Sequence, residues 1–133
     1  MKAWFSVPFV MGMPRPRFGN GHAYTPSKAK KAMDAIKAAF IEAGGIKAPK
    51  GVPVTLTITT YRDMPKTTPR RFESIPDVVK PDLDNVQKLV MDALNGVAWH
   101  DDAQVNRFVG GKGDRMRGHG PVTYIGIMWG EDE

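Results

Sequence analysis

Hydrophobic and polar residues alternate cleanly in one part of this chain. Over residues 52–61, Val52, Val54, Leu56 and Ile58 point one way, and Thr55, Thr57 and Thr59 point the other. This period of two is typical of a half-buried β-strand that ends near Tyr61. Further short apolar runs predict strands over residues 2–10, 103–109 and 121–129, with Pro8 marking an edge strand or a strand end.

Two other segments have the spacing of amphipathic helices. The first follows Thr25-Pro26, which predicts an N-cap and a first helical proline, and it ends near Gly44. The second begins after Pro81, with Asp82 as its N-cap, and ends before Gly96. The apolar positions are Ala29, Met33, Ile36, Phe40 and Ile41 in the first helix, and Leu83, Val86, Val90, Ala93 and Leu94 in the second.

The element order is therefore β-α-β-α-β-β. This order predicts an α+β fold in which two main helices pack on one mixed β-sheet. A length of 133 residues, with 41% hydrophobic residues and no visible linker or repeat, predicts a single domain over residues 1–133.

Composition narrows the class of protein. There is no apolar run long enough to span a membrane and no signal-peptide pattern, and the absence of cysteine excludes disulfides and thiol catalysis. We therefore expect a cytoplasmic protein. The net charge of +5 fits either a nucleic-acid partner or ordinary surface solubility.

Acidic residues are concentrated in one stretch of this basic chain. Like charges at such density are costly unless a cation offsets them, so we interpret the stretch as a metal-dependent active site. Carboxylate oxygens favour a hard cation such as Mg²⁺, and neighbouring Lys and Arg suit phosphodiester hydrolysis. Five of the fourteen acidic residues lie here, namely Asp82, Asp84, Asp92, Asp101 and Asp102.

Helix geometry permits several of these side chains to meet. Asp82 on the cap and Asp84 in the first turn can converge at the helix mouth, and Lys88 lies one turn beyond Asp84, where it can pair with Asp84 or reach a phosphate. The helix spans about 20 Å at ~1.5 Å per residue. The segment from Gly96 to Asp102 covers about the same distance when extended, so Asp102 just reaches the mouth if the chain doubles back. The alternative is that Asp82 is only a helix cap.

Basic residues flank this stretch. Residues 62–80 are rich in proline and predict a flexible loop that contacts DNA or, alternatively, a disordered surface loop. No histidine pair, serine nucleophile motif or phosphate-binding glycine loop suggests another site type or a small-molecule cofactor. The candidate DNA contacts are Arg15, Arg17, Lys66, Arg70, Arg71 and Lys80.

The motifs KPDLDNVQK at 80–88, DALNG at 92–96 and DDAQV at 101–105 together resemble the RusA family of Holliday junction resolvases. The resemblance implies a bacterial or phage homodimer that binds four-way junction DNA and, with Mg²⁺, makes paired symmetric nicks during recombination and repair. It implies that Asp82, Asp84 and Asp102 are metal-binding catalytic carboxylates and that Lys88 is a catalytic lysine. Asp101 is a neighbouring candidate for the metal.

Two other functions stay open at this stage. One is a DNA-binding module without catalysis, in which the carboxylates are caps and ion-pair partners. The other is a nuclease that uses the same residues on other branched DNA and needs no dimer.

Overall fold

The computed structural model describes residues 1–14, 17–19, 22–24 and 26–130. Arg15 and Thr25 lie outside the described residues, as does the side chain of Arg17. The strands are β1 (Lys2–Val7), β2 (Arg17–Gly19), β3 (His22–Tyr24), β4 (Val54–Tyr61), β5 (Ser74–Ile75), β6 (Val105–Lys112), β7 (Arg115–Met116) and β8 (Val122–Trp129). The helices are α1 (Ser27–Glu42) and α2 (Leu83–Leu94), and a 3₁₀ turn covers Asp102–Gln104.

The main sheet has four strands in the order β1-β8-β4-β6. Strands β4 and β6 are parallel, and the other neighbouring pairs are antiparallel. A parallel pair needs a crossover connection, and α2 lies in the segment that joins β4 to β6. The predicted α+β fold with a mixed sheet and two main helices is confirmed.

One face of the sheet and the two helices form the core. The apolar positions Val54, Leu56 and Ile58 predicted for β4 are fully buried, but the strand begins at Val54 and not at residue 52, and Thr55 on the other face is buried as well. The opposite face leaves Trp4 and Tyr124 exposed. The other large residues of the core are Ile125 and Ile127 of β8, Ile36 and Phe40 of α1, and Val86, Leu89, Val90 and Leu94 of α2.

The predicted start of α1 and one of its apolar positions need correction. Pro26 occupies the N-cap position, so the helix begins at Ser27, one residue later than predicted. Ile41 was placed on the buried face but is 64% exposed. Because Phe40 fills the core position, the next residue is rotated about 100° around the helix and faces solvent.

The strand predicted at 103–109 begins and ends later than expected. Its first predicted residues belong to the 3₁₀ turn, and the strand itself runs from Val105 to Lys112. The glycines at 110 and 111 stay in the strand because parallel pairing with β4 continues as far as Thr60 opposite Lys112.

The segment at 62–80 is attached to the body of the protein. Strand β5 within it pairs with β7, and the Arg115 side chain donates to the Asp63 carbonyl at 2.8 Å. The Arg117 side chain donates to the Pro69 carbonyl at 3.3 Å. The prediction of a flexible loop is therefore corrected to a segment hydrogen-bonded to residues 115–117. No helix within the described residues is long and apolar enough to cross a membrane.

Candidate active site

The N-terminus of α2 presents its two acidic residues differently. Asp82 is the N-cap, as predicted, with extended backbone dihedrals, but its side chain makes no capping hydrogen bond. Its carboxylate is 57% exposed, and the Lys80 ammonium lies 3.9 Å away. The interpretation of Asp82 as a mere cap therefore lacks the hydrogen bond that it requires.

Asp84 lines an open groove of about 350 Å³ beside α2. Lys88 and Asp92 follow it on the same side of the helix, one and two turns further on, and Asp102 faces them from the 3₁₀ turn. The fold thus brings Asp84, Lys88 and Asp102 to one groove and adds Asp92. Asp82 and Asp101 do not line it.

A tight turn after α2 returns the chain to this groove. Gly96 has a φ of +81°, which favours glycine, and its N–H donates to the Trp99 carbonyl at 2.8 Å. The doubling back that the chain-length estimate required for Asp102 therefore occurs. Trp99 is fully buried, and its Nε1 donates to Oδ1 of Asp102 at 2.8 Å. This bond fixes the Asp102 side chain from behind.

Asp101 has a separate structural task. Its carboxylate accepts from the Ala103 N–H at 3.0 Å, and it forms a capping box with Gln104. The side chain of Asp101 faces a second pocket on the other side of the turn. Of the two adjacent acids, Asp102 is the one that shares the groove with Asp84.

Gln104 holds the turn in place with all of its hydrogen-bonding capacity. Its Oε1 accepts from the N–H groups of His100 and Asp101 at 2.8 and 3.1 Å. Its Nε2 donates to the carbonyls of Pro49 and Val52 at 2.8 and 3.0 Å. Sequence reasoning noted Gln104 only as part of a motif and missed this anchoring role.

The donor set in the groove suits a hard divalent cation. Its acidic lining consists of carboxylates, and Mg²⁺ commonly takes one or two of these and keeps several waters. Among the described residues, no three acidic or histidine side chains are close enough to form a ready-made cage. A cation bound by carboxylates of the groove would therefore take its remaining ligands from water.

The predicted DNA contacts are exposed where the structure describes them. Lys66, Arg70, Arg71 and Lys80 all reach solvent, and the Arg71 guanidinium lies 4.7 Å from the centre of the Phe72 ring. Within the part of the chain that the structure describes, no hydrogen bond or ion pair links these four residues to the groove, and Lys80 instead lies beside Asp82, which is outside it.

A buried acid in the segment before Asp82 escaped sequence reasoning. Asp77 has a fully buried side chain that accepts from Nη2 and Nε of Arg62 at 2.7 and 3.0 Å. The Lys112 ammonium lies 3.6 Å from the same carboxylate. Burial acts to raise the pKa of Asp77, but the hydrogen bonds and charge of Arg62, with Lys112, outweigh it and hold the pKa below its ordinary value. Lys112 also donates to the Val79 carbonyl, so this cluster anchors the chain just before the active-site motif.

The turn that carries Asp102 has basic neighbours as well. Loss of hydration lowers the pKa of His100, and the positive charges of Lys47 and Lys50 lower it further. Both lysines belong to the segment that Gln104 holds against the turn. Neither lysine was among the predicted DNA contacts.

Two comparisons with known proteins bear on this site. The sequence model of a family described as "Endodeoxyribonuclease RusA" matches residues 8–128, a range that includes the whole groove. The "Uncharacterized protein YqaN" of Bacillus subtilis (strain 168) is 30% identical over 111 residues, covering 76% of this chain and 78% of that protein.

Proposed function

Because the chain belongs to the RusA endodeoxyribonuclease family, we propose that it is a Mg²⁺-dependent resolvase that cuts four-way DNA junctions by paired symmetric nicks. Family membership makes the protein a nuclease. The observation that carries the finer proposal is the groove in which Asp84, Lys88 and Asp102 lie together.

Asp84 and Asp102 are the proposed ligands of the cation, with Asp82 as the third carboxylate at the helix mouth. When bound, Mg²⁺ would polarise the scissile phosphate and help to generate the attacking hydroxide. Trp99 occupies one oxygen of Asp102 and so orients the carboxylate for this task. Asp101, committed to its cap, is a positioning residue rather than a ligand in this proposal.

Lys88 has a role that no carboxylate can fill. Among the described residues it forms no ion pair, so its ammonium is free to approach a phosphate oxygen. The attack places additional negative charge on the phosphate, which a nearby ammonium stabilises. We therefore assign Lys88 to transition-state neutralisation.

The proposal includes a homodimer acting in the cytoplasm of a bacterial or phage-infected cell during recombination and repair. A four-way junction has near two-fold symmetry, and a two-fold dimer presents two equivalent sites to two equivalent strands. The basic residues Lys66, Arg70, Arg71 and Lys80, with Arg15 and Arg17, are proposed to contact backbone phosphates.

The test compares a synthetic four-way junction with a linear duplex of matched sequence, with and without Mg²⁺. We expect symmetric nicks that need Mg²⁺ and are confined to the junction. Asp84→Asn and Asp102→Asn should each lower the cleavage rate roughly a thousandfold, equivalent to about 4 kcal/mol of transition-state stabilisation. Junction binding should survive or tighten, because each change removes negative charge near the phosphates.

Asp34→Asn on the exposed side of α1 removes the same charge away from the groove and is the matched control. It should leave cleavage unchanged. Equal cutting of junction and duplex would instead indicate a nuclease with broader substrates. Binding without cutting in any divalent metal would refute the nuclease assignment and favour a DNA-binding module.

A further inference from the structure

A second pocket, of about 550 Å³, is lined by the neighbours of Asp102 in the same turn, while Asp102 itself lines the groove. Lys50, His100, Asp101 and Asn106 line it. The turn therefore has an acidic groove on one side and a pocket with basic residues on the other. Nothing in the proposed mechanism uses this second pocket.

The backbone that carries the lysines is fixed to the turn. The N–H of Ala48, a fully buried residue, donates to the Ala98 carbonyl at 2.9 Å. Gln104 adds hydrogen bonds to the carbonyls of Pro49 and Val52. Lys47 and Lys50 directly flank these anchored residues, so their side chains start from a rigid base beside the active-site turn.

Charge in the pocket favours an anion. Lys50 lines the pocket, Lys47 precedes the anchored Ala48, and neither lysine forms an ion pair with any described residue. The single carboxylate in the pocket, that of Asp101, already accepts the Ala103 N–H. In the pocket, Lys50 thus accompanies a single carboxylate that is engaged elsewhere, and Lys47 starts from the same anchored segment.

We propose that Lys47 and Lys50 bind backbone phosphates of the DNA strand that is cut, beside the phosphate in the groove. His100 lines the pocket and Asp102 lines the groove, and because they are two residues apart their Cα atoms are separated by about 7 Å at most. Phosphates of one strand advance only about 3.4 Å each along the duplex axis. A strand with one phosphate in the groove therefore has others within reach of the pocket.

This inference rests on the proposed function, since it assumes that the groove holds the scissile phosphate. Its first test is the equilibrium binding of a four-way junction in EDTA, where cleavage is absent, at several salt concentrations. Lys47→Ala/Lys50→Ala should reduce the slope of log K against log salt by about 2, one for each lost phosphate contact. The ratio of variant to wild-type Kd should then fall about 16-fold between 50 and 200 mM salt.

The matched control is Lys30→Ala/Lys31→Ala, which removes the same charge from the exposed side of α1. It should change the slope by much less than 1. An equal change of slope in the two double variants, or no change in either, would overturn the proposal. Thermal melting of each variant verifies that the protein is folded during the measurement.

A second test locates the contact on the DNA. Methylphosphonates, which remove the charge of single phosphates, are placed one to three positions from the cut in the cleaved strand. In the wild type we expect one or two of these substitutions to weaken binding, and in Lys47→Ala/Lys50→Ala the same substitutions should have no further effect. Fully additive effects at every position would contradict the proposal.

The two levels of proposal fail differently. If the wild type cuts junctions but the Lys47→Ala/Lys50→Ala protein binds them like the wild type, the pocket assignment alone is wrong. If the wild type binds but never cuts, while the double variant loses the salt-dependent contacts, the phosphate pocket stands and the resolvase proposal fails.

Discussion

Replacing Trp99 by Phe tests whether Asp102 holds the cation. The change removes the indole N–H that donates to Asp102 at 2.8 Å and keeps an aromatic ring in a fully buried position. A hydrogen bond to a charged acceptor contributes about 1.5–3 kcal/mol. Loss of such an outer bond typically weakens metal affinity about 10- to 100-fold.

The structure favours the lower end of this range. Asp102 is only partly buried, so water can replace the lost donor, while the carboxylate loses its fixed orientation. We therefore expect the Mg²⁺ concentration for half-maximal cleavage to rise about tenfold. The smaller ring should also lower the free energy of unfolding by roughly 2 kcal/mol through imperfect packing.

The assay is single-turnover cleavage of a four-way junction over a range of Mg²⁺ concentrations, with a thermal melt of each protein. Trp129→Phe is the matched control, because its Nε1 donates to the Ile46 carbonyl at 3.1 Å and it does not line the groove. The control should leave the Mg²⁺ requirement unchanged. A folded Trp99→Phe protein with the wild-type Mg²⁺ requirement would refute the role assigned to Asp102.

Two further predictions concern acids outside the groove. Asp101→Ala should lower the free energy of unfolding by about 1 kcal/mol, the usual cost of a lost cap. It should retain far more cleavage activity than Asp102→Asn, and an equal loss of cleavage in the two variants would make Asp101 a ligand. Asp77→Asn should lower stability by about 3 kcal/mol at neutral pH, because it breaks a buried pair. Since the folded-state pKa of Asp77 is depressed, its contribution is present above its ordinary value of 3.8 and is lost as pH falls through the lower folded-state value. Urea unfolding of the wild type and of Asp77→Asn between pH 7 and pH 3 should therefore show that the difference in their free energies of unfolding becomes smaller at the acid end. A difference that does not change with pH would contradict this linkage.

Local sequence signals were sufficient for the main elements. Helix α2 was predicted to within one residue because Pro81 and Gly96 limit it and its apolar residues repeat at helical spacing. Strand β4 followed from strict alternation. The ladders β2–β3 and β5–β7 were missed, since strands of two or three residues leave no periodic pattern to detect.

Side-chain partners distant in sequence were harder to predict than elements. The Asp77 cluster joins residues 15 positions away on one side and 35 on the other, and nothing local distinguishes a buried acid from an exposed one in a basic segment. The choice between Asp101 and Asp102 was likewise left open by the sequence. It depends on which way each side chain leaves a three-residue turn, and Trp99 and Gln104 determine that direction.

The turn around Gln104 shows why the acidic motif lies in a basic protein. Carboxylates that attract a cation also repel a polyanion, so basic residues near such carboxylates favour the approach of DNA. Here one buried amide joins the turn that carries Asp102 to the segment that carries Lys47 and Lys50. The Gln104 side chain accepts from the N–H groups of His100 and Asp101 and donates to the carbonyls of Pro49 and Val52. The four hydrogen bonds of Gln104, with the bond from the Ala48 N–H to the Ala98 carbonyl, therefore hold the backbone of the lysine segment against the backbone of the turn.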